Sequence, residues 1–134
     1  MRMDLSEKRV EATLAVAFRL GMLPSPSLAD LLSSRPEKEG EYGAMLSETG
    51  WLIHSLNMLR LRYANEDAGI KHSFTPISRA QMEDWYKSNS DLFTRYEGDS
   101  FDFEEVADVV LKRMREEEWE GLIDEMACQQ HPRG

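Results

Sequence analysis

Residues 41–65 read EYGAMLSETGWLIHSLNMLRLRYAN, the longest periodic run in the 134-residue chain. Tyr42, Met45, Thr49, Leu52, Leu56, Leu59 and Tyr63 recur at steps of three and four, as one face of an α-helix requires. Trp51, His54, Met58 and Leu61 form a second stripe beside the first. A helix that is apolar on more than one face is central in a bundle or shared between the core and a partner. Gly43 and Gly50 each cost such a helix about 1 kcal/mol against alanine, so packing has to hold it. The spacing therefore predicts a long central helix over 41–65.

Working outward, the same periodicity predicts helices on both sides. Val10, Leu14, Ala17 and Phe18 share a face of a helix over 5–20, with Asp4 and Glu7 as a capping box and Gly21 as a left-handed terminator. Ser25 and Pro26 suit the start of a short helix whose inward side is Leu28, Leu31 and Leu32, closed by Pro36. Ser78 with Gln81 makes a capping box, and Ile77 can staple onto Met82. Met82, Trp85, Tyr86, Leu92, Phe93 and Tyr96 follow in phase, with Ser88-Asn89-Ser90 as a break or bend and Gly98 as the end. Asp102 with Glu105, and Phe101 with Val106, repeat that grammar. Phe103, Val106, Ala107, Val110, Leu111 and Met114 form a stripe that loses phase at Glu116–Glu118. Trp119, Leu122, Ile123 and Met126 resume it one position late, which predicts a kink near 115–118. No segment reads as a strand. The expected fold is all-α, a single-domain bundle of five or six helices over 1–128, with residues 129–134 as a flexible tail.

Charge narrows the function classes. The chain carries 25 acidic and 16 basic side chains, a formal charge of −9. Up to Tyr96 the balance is near zero, with 13 acidic and 12 basic residues; from Glu97 to Met126 there are 12 acidic and 3 basic. Wrapping nucleic acid needs clustered Lys and Arg, so direct nucleic-acid binding is not expected. A helix-turn-helix over 14–32 fails for the same reason, since Ser27–Leu32 lacks base-reading side chains. An anionic membrane surface is disfavoured as well, and no run of apolar residues is long enough to span a bilayer. Cys128 is the single cysteine, which gives no oxidising-compartment signal, and no leader is legible. The expected location is the cytoplasm.

Familiar chemistry is missing from the sequence. His54, His72 and His131 stand outside any HExxH pattern, and the residues three positions before them are Trp51, Gly69 and Cys128. Cys128 and His131 have ligand spacing but lack the other two ligands of a closed zinc site. Asp124 and Glu125 would raise the Cys128 thiol pKa, the reverse of what a nucleophile needs. The expectation is no enzyme, no catalytic residue, no metal and no cofactor. An unfamiliar active site at His54 would require a concave pocket around it.

Two function classes remain. The first is an acidic inhibitor, of the immunity or antitoxin type, that occupies the surface of a basic, nuclease-like or nucleic-acid-binding protein. Asp102, Glu104, Glu105, Asp108, Glu116, Glu117, Glu118 and Glu120 would form its docking face, with Trp119 as an exposed aromatic anchor. The bland counterpart is a solvated acidic face that serves only solubility. The second class is a structural, assembly or chaperone-like protein that forms a homodimer or higher oligomer through Trp51, Met58 and Leu61.

Overall fold

The computed structural model describes residues 6–35, 47–96 and 99–130. Its elements run α1 (Glu7–Arg19), α2 (Leu28–Ser33), α3 (Glu48–Ala64), α4 (Arg79–Ser88), a 3-10 turn (Ser90–Phe93), β1 (Thr94–Tyr96), β2 (Asp99–Ser100) and α5 (Phe103–Gln130). The fold is an all-α bundle with five α-helices among the described residues. The strands make only a two-stranded antiparallel ribbon, with Thr94 opposite Ser100 and Tyr96 opposite Asp99.

Local chemistry sets the helix ends. Ser6 caps α1 by accepting from the Arg9 N–H. Gly21 ends it at φ +74, a left-handed conformation that favours glycine. Ser27 caps α2, so the helix starts two residues later than the Ser25–Pro26 start expected from the sequence. Ser47 caps α3, and residues 41–46 lie outside the described residues, as do Asp4, Pro36 and Gly98. The Ser78–Gln81 capping box is complete: each side chain bonds the other's backbone N–H. The predicted break after it is present, since α4 stops at Ser88 and a 3-10 turn follows.

Two expectations about length are corrected. The longest helix is α5, with 28 residues, and not the 17-residue α3. It runs without interruption through 115–118 and includes Gln129 and Gln130, which the sequence reading assigned to a tail. Residues 131–134 lie outside the described residues.

The main core lies where α1, α3 and α5 meet. Val10, Leu14, Val16 and Ala17 of α1 pack with Leu56, Leu59 and Tyr63 of α3 and Trp119 and Ile123 of α5. Phe18, expected inward, is 47% exposed, because α1 turns its Val10–Leu14–Ala17 side to the core. A second cluster joins α4 to the start of α5. There Tyr86 packs 5.3 Å from Phe93 and 5.7 Å from Phe103 (ring centroids). The Tyr86 hydroxyl donates to the Phe101 carbonyl, tying the cluster to the ribbon.

Candidate functional site

The side chains of α5 account for the apparent loss of phase. Val110 is fully buried, and Trp119 is 1% exposed. At about 100° per residue, nine residues separate them by about 180° around the helix. One side of α5 therefore faces the α4 cluster in its first half, and the opposite side faces α1 and α3 in its second. The carboxylates between these faces point in several directions.

Most of the expected docking residues have internal partners. Glu104 pairs with Arg79 of α4. The Glu105 carboxylate folds back to accept from the Asp102 N–H at 3.4 Å. Glu116 lies 3.9 Å from Arg113, and Glu117 accepts from the Trp85 indole at 3.1 Å. Glu118 accepts from Arg115 at 2.8 Å and from the Tyr63 hydroxyl at 3.2 Å. Glu120, together with Asp124, pairs with Arg9 of α1. Asp102, just before α5, and Glu104, Glu105 and Asp108, in its first turns, are exposed. The other four are held against different neighbours.

Trp119 requires a correction. It is a core residue whose ring lies 5.4 Å from that of Tyr63, and it offers no exposed anchor. Glu118 and Glu120 flank it in sequence, but successive helical side chains diverge by about 100°, so charged neighbours do not make a position wet. Its phase with Leu122, Ile123 and Met126 was the better signal.

Arg115 is the residue that sequence reasoning missed. It is 2% exposed and sits over the Phe74 ring at 5.2 Å. One guanidinium nitrogen donates to the Thr75 carbonyl at 2.7 Å and lies 3.5 Å from Glu66, while the other bonds Glu118. A buried arginine needs such pairing, because removing its charge from water costs several kcal/mol. It thereby fastens the α3–α4 connector to α5. Beside it, the Tyr63 oxygen lies 3.3 Å from His72 Nε2. Burial, followed by the Glu118 carboxylate, pushes the Tyr63 hydroxyl up to about 12. On the same connector, the Gly69 N–H and then Arg62 hold Asp67 below the ordinary carboxylate value. With Tyr63 1% exposed and Arg115 2% exposed, this network braces the connector and offers a substrate no access to either group.

The outer side of α3 differs in kind. Met58 and Leu61 are each 44% exposed, opposite the buried Leu56, Leu59 and Tyr63, while Ile53, 37% exposed, lies to one side and lines the groove toward α5. Trp51 is half-buried: its indole donates to the Leu31 carbonyl of α2 at 3.1 Å, and its ring lies 5.4 Å from that of His54. Next to this stripe a groove of about 540 Å³ runs between α3 and α5, lined by Ile53, Asn57, Arg60, Val109, Lys112, Arg113 and Glu116. Cys128 is exposed. Among the described residues, no group of three or more His, Cys, Asp or Glu is placed to hold a metal ion, and no helix is long and apolar enough to cross a membrane.

No protein-family model matches the chain, and no curated protein matches it in sequence. In structure it is similar to a GH136 lacto-N-biosidase from Eubacterium ramulus. The native crystal structure superposes with a TM-score of 0.68 at 18% identity over 90% of this chain. A selenomethionine derivative of the same enzyme gives 0.64 at 18% over 91%. The match spans only 27% of that enzyme's chain. The likeness is one of fold.

Proposed function

We propose that this chain is a non-catalytic helical assembly module that seats the outer side of α3 on another protein. The observation that carries the reading is the exposed pair Met58 and Leu61, on the same side of α3 as Trp51. A contiguous exposed apolar patch rimmed by polar residues marks an interaction surface. Burying the 44% of Met58 and of Leu61 that is still exposed would contribute about 0.7–1.3 kcal/mol each, that share of a full burial. The fold likeness supports a heterologous partner, since a comparable helical unit makes up about a quarter of a much larger carbohydrate-cleaving chain. A polypeptide of that class is the first partner to try, with this chain acting in a chaperone-like way. A single cysteine fits a reducing, cytoplasmic setting.

The test is coexpression with a lacto-N-biosidase-type polypeptide from which the region of matching fold has been removed. The expected result is a gain in its soluble yield from the wild-type chain. The double variant Met58→Asp, Leu61→Asp should give none while keeping its own helical circular dichroism. Equal yields with both chains would overturn the reading. A homodimer through the same stripe is the other form of the proposal, and the same double variant would then halve the solution mass.

A second reading has its own observation. Asp102, Glu104, Glu105 and Asp108 remain exposed together at the start of α5, where a basic protein could dock in the manner of an inhibitor. Its test is the association rate with a basic nuclease, which should fall when Asp102 and Asp108 are both changed to Asn.

A further inference from the structure

We propose that α5 carries a second, self-complementary interface through which two copies of this chain pair antiparallel about Val109. Glu105, Val109 and Arg113 are spaced four residues apart and form one row along the helix, rising about 6 Å at each step. Val109 is 46% exposed, the Arg113 side chain is 49% exposed, and Glu105 is exposed. Read along the axis, the row is negative, apolar, positive. A two-fold axis at Val109 sets Glu105 of each copy against Arg113 of the other, and residue against residue is what an isologous contact requires. Asp108 and Lys112, both exposed, supply a flanking pair of the same sense. Ile53, across the groove from Val109, enlarges the apolar centre.

The occupant follows from charge. Lys112 and Arg113 line the groove beside Glu116 and form the basic end of this row, on a chain of net charge −9. The complement that the same helix presents, at the same height about the axis, is its own acidic start. The pairing has a built-in limit: Glu116 would face Asp102 of the second copy, seven residues from the centre. Helices that cross at the usual angles have diverged at about 10 Å from the crossing point, so this like-charge pair stays apart. Contact is confined to about two turns, and the dimer is expected to be weak. Net repulsion between two acidic copies opposes it most at low ionic strength. At about 0.15 M salt fields beyond roughly 8 Å are screened, and the short-range pairs decide.

The experiment is sedimentation equilibrium of the full chain at about 0.15 M salt. Wild type should show a monomer–dimer equilibrium, and Glu105→Arg or Arg113→Glu should each weaken it at least about tenfold, the factor of a modest ion-pair change. An equimolar mixture of the two single variants should associate, because both cross-pairs are then opposite in sign. The double variant should pair with itself again. Both positions are exposed, and circular dichroism checks that each variant is helical. A monomeric wild type, single variants that dimerise like wild type, or a mixture that stays monomeric would each overturn the proposal. Loss of association in Met58→Asp, Leu61→Asp with none in the charge variants would also overturn it, by assigning self-association to α3.

Discussion

Val110 and Trp119 are both buried on one uninterrupted helix, on opposite sides of it. That relationship makes α5 the shared wall of two clusters, the aromatic group around Tyr86 and Phe103 and the main core around Leu14 and Tyr63.

Trp119→Ala should destabilise the chain by about 3–5 kcal/mol, the range for deleting a large aromatic from a packed core. Urea unfolding followed by circular dichroism measures it. A change below 1 kcal/mol, as exposed positions give, would return Trp119 to the surface.

Arg115→Ala removes the donor to the Thr75 carbonyl and leaves Glu118 without its cation. Glu118 is partly exposed, so the cost should be about 1–3 kcal/mol. Amide hydrogen exchange should speed up first in residues 66–76, before α1 is affected. Arg115→Lys should recover little, because one ammonium does not reproduce a planar fork that reaches two partners.

Tyr63 gives stability a pH dependence at the alkaline end. Its folded value of about 12 stands above the ordinary 10.0, so its contribution is complete below pH 10. It is lost as pH rises from 10 through 12, where the unfolded chain releases the proton first. Denaturation midpoints measured across that window should fall for wild type and stay flatter for Tyr63→Phe.

Gly21→Ala should cost about 1–2 kcal/mol, the penalty of a Cβ in the left-handed region. A Cβ there would also stand 3.0 Å from the Lys71 side chain. Thermal unfolding of the single variant reads the loss directly, and an unchanged midpoint would argue against that backbone conformation.

The all-α fold was legible because caps and periodicity act locally. Ser78, Gln81 and Gly21 announce their turns within a few residues of sequence, and the structure uses each as read. The α3 stripe was legible too: Leu52, Leu56, Leu59 and Tyr63 face inward, and Met58 and Leu61 face outward. What escaped depends on distant partners. A helix that buries opposite sides in its two halves imitates a kinked one, since its apolar positions shift phase midway. Arg115 looks solvated beside Glu116–Glu118 until the connector from Glu66 to Thr75 is folded over it. The acidic surplus looked like one presented face because sequence counts charges without showing that Arg9, Arg79 and Arg115 meet them.

Arg9 reaches Glu120 across 111 residues of sequence. During vectorial synthesis α1 therefore leaves the ribosome with Val10, Leu14 and Val16 bare, and α5 does not emerge until most of the described chain has been made. The nascent chain must carry that greasy strip unsheathed for several seconds at ordinary elongation rates.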